Sequence, residues 1–220
     1  MRMESRSGAS PAHVTTVGSA LPAPGRGGLS GWYGETSTGN YIGTQAAEDP
    51  LGSGGTSTAA NSGVFLSPEL QVPNVAADID LRFRTWWEIE SVNPSSFDIM
   101  SVELVSPTGV TVLKRLNPGT DPTSPEDRRT LAYTSGGFPN VAPIWREEAI
   151  DISAYRGQTV RIRFAFNTVD HQYNGFRGWL VEDVRISTGT SGGAEPEVLT
   201  LQRSQGPLVP ADMLPPRSRP

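Results

Sequence analysis

"DIDLRFRTWWEIE" (residues 78–90) alternates over nearly its whole length. Ile79, Leu81, Phe83, Thr85, Trp87 and Ile89 fall on one side of an extended chain; Arg82, Arg84, Trp86, Glu88 and Glu90 fall on the other. Successive side chains of a strand point to opposite faces, so the pattern describes a strand with one apolar and one polar face. A helix would repeat its apolar residues every three or four positions, and no segment of the chain sustains that period.

The same kind of segment recurs on either side. "GVFLSPEL" (63–70) reads as a short strand stopped by Pro68. "FDIMSVELVS" (97–106) and "VTVLKRL" (110–116) flank a Pro107-Thr108-Gly109 turn. After a polar, Pro-rich loop (117–142), "IWREEAIDIS" (144–153) and "TVRIRFAFNT" (159–168) are separated by a tight turn at 154–157. In the second of these, Val160, Ile162, Phe164 and Phe166 face inward, with Arg161 and Arg163 outward. "GWLVEDVRI" (178–186) closes the set. Short strands, Gly and Pro turns and one-sided alternation predict an all-β, antiparallel sandwich. Polar outer faces fit two stacked sheets better than a closed barrel.

Composition bounds the rest. The 220 residues suit one domain with loose ends. Only 36% are hydrophobic, while Gly (24) and Pro (19) are abundant, so part of the chain is expected to stay outside the core. Residues 1–30 and 188–220 carry that bias and are expected to form a disordered lead-in and a flexible tail around a domain at 31–187. A net charge of -5 gives no electrostatic reason to expect nucleic acid or an anionic membrane as partner. The absence of cysteine excludes disulfides, thiolate metal sites and cysteine nucleophiles. No apolar run reaches transmembrane length, and the first twenty residues lack the apolar core of a signal peptide.

Six stretches occur in one order: "GWYGETSTGNY" (31–41), "NSGVFLSPEL" (61–70), "LRFRTWWEIE" (81–90), "FDIMSVELVSPTG" (97–109), "WREEAIDISAYRGQTVRIRFAF" (145–166) and "GWLVEDVRIS" (178–187). Their order resembles the MAM-like jelly-roll domains of bacterial secreted proteins, including accessory domains of immune inhibitor A-type metallopeptidases. The resemblance spans roughly residues 31–187. It implies a jelly-roll sandwich of the concanavalin or galactose-binding-like kind, noncatalytic, extracellular or cell-surface, and part of a larger chain or assembly. Eukaryotic MAM domains carry disulfides, so a chain without cysteine is closer to the bacterial accessory type. The resemblance also implies a structural Ca²⁺ where the N-terminal loop meets the last strand.

That last strand poses a problem. On either parity, Glu182 or Asp183 shares a face with apolar side chains, and burying an ionised carboxylate alone costs several kcal/mol or forces it neutral. Three solutions exist. A β-bulge re-aims the pair; an arginine such as Arg161, Arg163 or Arg185 faces one of them; or a cation neutralises them. Ca²⁺ takes about 6–8 oxygens, and Glu35, Thr36 and Asn40 of "GETSTGNY" are candidate co-ligands for Asp183 and Glu182.

Trp86 offers a second candidate site. It lies on the polar face beside Glu88, where an exposed ring would stack on a sugar; the alternative is a sheet face packed under a loop. Catalysis has little support. The only histidines are His13 and His171, there is no HExxH, and no GxSxG accompanies Asp170-His171. The sequence therefore predicts a noncatalytic accessory module with a protein or glycan surface ligand. The rivals are a carbohydrate-binding module and a purely structural stalk or particle-surface domain.

Overall fold

The computed structural model describes residues 3–7, 29–34, 39–42, 55–122, 132–138 and 141–189. Among these residues, eleven strands form two antiparallel sheets: β1 (Met3–Ser7), β2 (Leu29–Tyr33), β3 (Ser62–Leu66), β4 (Leu70–Gln71), β5 (Ile79–Glu90), β6 (Ile99–Ser106), β7 (Gly109–Arg115), β8 (Ala132–Thr134), β9 (Arg146–Asp151), β10 (Thr159–Asn167) and β11 (Gly178–Thr188). One sheet runs β1-β2-β11-β5-β8, with β9 also paired to β5; the other runs β3-β10-β6-β7, with β4 also paired to β10. The sheets pack face to face as a jelly-roll sandwich.

The core is what the alternation demands. Ile79, Leu81, Phe83, Trp87 and Ile89 of β5 meet Val160, Ile162, Phe164 and Phe166 of β10 and Met100, Val102 and Leu104 of β6. Each fully buried large side chain contributes about 1.5–3 kcal/mol through lost water contact. Aromatic rings interlock through the centre: Phe164 stands edge-on to Phe83 (centroids 5.2 Å) and to Trp179 (5.9 Å), and Tyr33 stacks on Phe166 at 4.1 Å. The Thr85 hydroxyl, on the inward side of β5, accepts the Trp179 indole N–H at 2.8 Å.

Two glycine-and-proline details fix how the strands join. Gly178 opens β11 at φ +86°, and a Cβ there would collide with the Tyr33 carbonyl, so only glycine lets β2 lie against β11. Pro68 has no N–H, which divides the "GVFLSPEL" segment into β3 and β4; Ser67 bridges the gap, its N–H donating to the Ile162 carbonyl and its Oγ accepting the Ile162 N–H.

Two boundaries differ from the sequence reading. The stretch taken as a disordered lead-in contains β1, which pairs with Leu29–Tyr33 in register Met3↔Tyr33 to Ser7↔Leu29. Its short polar sequence lacks an apolar alternation, so only an existing sheet edge selects it as a strand. The long 117–142 loop contains β8, recruited by the free side of the last turn of β5 at Glu88, Ile89 and Glu90. The flexible tail predicted at 188–220 lies outside the described residues beyond Gly189, whose N–H donates to Asp78.

Candidate functional site

The acids of β11 sit on a β-bulge. Glu182 pairs with Arg84 and Arg185 with Arg82, so Asp183 and Val184 of β11 together oppose the single residue Phe83 of β5. One extra residue shifts parity. Trp179 and Val181 point into the core before the bulge, and Val184 and Ile186 do so after it. Asp183 is the residue absorbed by the bulge, at φ 51°. Its carboxylate pairs with Arg185 two residues on. Glu182 faces the outside of the sheet and pairs across the ladder with Arg84 at 2.6 Å.

The two acids expected to bind Ca²⁺ here, Glu182 and Asp183, each face an arginine. Arg84 and Arg185 already supply the positive charge that the two carboxylates require. Asn40 is buried, its Oδ1 accepting the Ile42 N–H at 3.1 Å. Glu35 lies outside the described residues. Among the described residues, no group of three or more His, Asp or Glu side chains gathers in the manner of a metal cluster.

Trp86 is not an exposed platform. Only 3% of it is accessible. It belongs to a second apolar cluster on the outer face of the larger sheet, with Trp32, Leu180 and the edge of Trp145. The Arg177 guanidinium lies 4.8 Å over its ring, a desolvated cation–π contact. Arg177 in turn holds Glu88, its Nε donating at 2.9 Å, and Glu88 is fully buried. Trp32 donates its indole N–H to the Arg177 carbonyl at 2.8 Å. Trp86 and Glu88 thus belong to a packed polar-aromatic layer, the arrangement of a sheet face covered by its own chain.

The least ordinary chemistry lies at the loop end of the sandwich, where neither acid stood out in the sequence. Glu90 ends β5 in one sheet, and Asp98 immediately precedes β6 in the other. Asp98 is wholly buried and Glu90 is 2% exposed. Asp98 Oδ2 accepts the Tyr41 hydroxyl and the Glu90 backbone N–H (3.3 Å). Asp98 Oδ1 and Glu90 Oε2 are buried with no hydrogen-bond partner, as is Asn174 Oδ1 in the neighbouring loop. Burial, reinforced by the charge of Asp98, pushes the Glu90 carboxyl up to about 11. Burial likewise lifts Asp98 well above the carboxylate range, with the charge of Asp170 adding to the effect. Tyr41, also buried beside them, is raised first by burial and then by the charges of Asp98 and Glu90.

The backbone around this end is strained. Asn93, Asp98, Val169 and Tyr173 all adopt φ between 51° and 67°; among the described residues, the other non-glycine residue with positive φ is Asp183. For a β-branched residue such as Val169 this conformation is an outlier. His171 lies exposed in the same loop, and its carbonyl accepts the Ser57 N–H at 2.7 Å.

The fold and its loop end define a β-sandwich module. No protein-family model matches the chain, and no curated protein matches it. Among solved structures it is similar to the K3 cleaved adhesin domain of Lys-gingipain (Kgp) from Porphyromonas gingivalis w83, with 16% identity, 85% of this chain and 91% of that chain covered, and a TM-score of 0.35. That likeness carries no functional assignment. Among the described residues, no helix is long and apolar enough to cross a membrane.

Proposed function

We propose that the chain is a noncatalytic binding or accessory module of an exported or cell-surface protein. Its recognition surface is the loop end, formed by residues 91–98 and 168–177. One observation carries this reading: among the described residues, four of the five non-glycine residues with positive φ crowd into these two loops. At Val169 and Tyr173, which lack the tolerance of Asn and Asp for this region, such strain costs on the order of 1–3 kcal/mol per residue and tends to cluster where a shape is held for a ligand. Loops on a rigid sandwich are also where such folds carry variable contacts. Val169 (47% exposed) and His171 present side chains there, within reach of a protein or glycan surface.

The test is a panel of polysaccharides and extracellular matrix proteins immobilised for biolayer interferometry. The expected result is binding to one of them that Val169→Asp or His171→Ala weakens at least tenfold, with unchanged circular dichroism. Binding that survives both variants would move the surface elsewhere. No binding to any of the panel, together with concentration-dependent self-association in light scattering, would favour a structural stalk domain instead.

A further inference from the structure

We propose that β7 is an interface strand. It pairs antiparallel with β7 of a second copy of this chain, about a two-fold axis at Thr111, and joins the two smaller sheets into one.

β7 ends the smaller sheet, and among the described residues its strand partner is β6 alone. Alternate N–H and C=O groups of such an edge strand point away from its neighbour, ready for another chain. Gly109, Val110, Thr111 and Val112 are all exposed. Val110 stands opposite Val105 and Val112 opposite Glu103, so both valines lie on the outer face of the sheet. They keep 44% and 53% of their surface in water, although the stretch "GVTVL" (109–113) is uncharged and rich in β-branched residues. That composition favours strand pairing over solvation.

Two other edges show the contrast. β9 carries Arg146, Glu147, Glu148 and Asp151 among its six residues. β3 and β4 are separated by Pro68, which has no N–H. Charge and proline are the usual means of keeping an edge from pairing, and a bulge is another. In β7 such devices come late: Leu113 is the extra residue of a bulge between Val112 and Lys114, and Arg115 follows. Residues 109–112 have neither charge nor bulge.

The charge layout selects the partner and its direction. In a parallel pair, Lys114 and Arg115 would lie beside their own copies, and like charges directly opposite destabilise a sheet. In an antiparallel pair centred on Thr111, Val110 of each chain meets Val112 of the other, while Lys114 and Arg115 lie beside the neutral Thr108 and Pro107. The strand thus fits itself, as a two-fold interface requires, and the pairing uses up the free edge so that growth stops at two. The contact is small, so the dimer is reversible and concentration-dependent.

β6 leaves the loop end at Ile99 and reaches β7 at its far end, through Ser106 and Gly109. The pairing therefore leaves residues 91–98 uncovered, and the two loop ends of a dimer point in opposite directions. That bivalency rests on the loop end being the recognition surface; the pairing itself does not.

The experiment is sedimentation velocity on the whole chain over about a hundredfold range of concentration, where mass action drives association. A shift from monomer to dimer is expected. Thr111→Lys and Thr111→Glu each set like charges opposite one another at the axis and should weaken the dimer by about tenfold or more. Mixing the two variants should restore it. Val169→Asp, at the loop end, should dimerise like the unaltered chain, so loss of ligand and loss of pairing are read separately. A strict monomer at every concentration would overturn the pairing and leave β7 to a strand of another protein. So would self-association that both Thr111 variants retain, or a mixture of them that stays monomeric. If the variants do not fold, hydrogen exchange on the unaltered chain decides. Exchange of the 109–113 amides should slow as concentration rises, and rates that stay constant refute the interface.

Discussion

Glu182 on β11 stands directly opposite Arg84 on β5, and their side chains meet at 2.6 Å on the outer face of the larger sheet. The carboxylate is completely withdrawn from solvent, while the guanidinium keeps about a fifth of its surface in water. Such a pair is held by register: a slip of one residue between β5 and β11 would leave the acid buried against an apolar neighbour. Removing one partner of a buried pair costs far more than removing both. Arg84→Ala should therefore destabilise the domain by about 3 kcal/mol, and Arg84→Met combined with Glu182→Leu by much less. Urea midpoints for the two variants make the comparison, and equal losses would contradict it.

Trp86 separates a packed face from an open one. With its ring between Trp32, Leu180, Trp145 and the Arg177 guanidinium, Trp86→Ala should cost about 3–5 kcal/mol, like other buried aromatics. The readout is the melting temperature. A surface platform would lose ligand and keep its stability; here the drop in stability is the expected outcome.

Asp183 lies at φ 51° in the bulge, a conformation that Asp and Asn tolerate and β-branched residues do not. Asp183→Asn should stay within about 0.5 kcal/mol of the unaltered chain, since the lost ion pair with Arg185 is partly solvated. Asp183→Val should lose a further 1–2 kcal/mol, roughly the left-handed penalty. Chemical denaturation of the two variants tests the bulge itself, because a regular strand would prefer valine.

The Glu90 carboxyl gives a pH signature. Its folded pKa, about 11, lies above the value of 4.5 for the free group, so the folded state holds a proton that the unfolded state gives up. Stability from this proton is whole below pH 4.5, declines as pH rises above it, and is gone once pH passes through about 11. Tm should fall steadily from mildly acidic to alkaline pH. Glu90→Gln should flatten that slope, with Asp98, Tyr33 and Tyr41 the other titrating groups at this end. A slope unchanged by the substitution would count against the protonated carboxyl.

Much of the framework was legible in the chain. The alternation of 78–90 defined β5 and both of its faces, and 159–168 did the same for β10. Even the bulge leaves a local trace: core residues sit at odd positions in Trp179 and Val181, then at even positions in Val184 and Ile186. The shift in parity at Glu182-Asp183 is the trace of one inserted residue. Among the three solutions open to the paired acids, the structure combines two, a bulge and arginine partners. The partner of Glu182, Arg84, lies 98 positions away, and Arg185, already a candidate, takes Asp183.

The sequence by itself determined which residues of a strand share a face, because that follows from backbone geometry one residue at a time. It could not determine what lies over a face. Trp86 reads as outward, and so it is, yet Trp32, Trp145 and Arg177 arrive from distant segments to bury it. Glu90 and Asp98 look like an ordinary strand end and turn acid, eight positions apart. Only the stacking of two sheets, with Tyr41 closing over the gap, turns them into one buried site. Facing is a local property of the chain, whereas desolvation and charge partnership belong to whichever segments the fold brings to the same place.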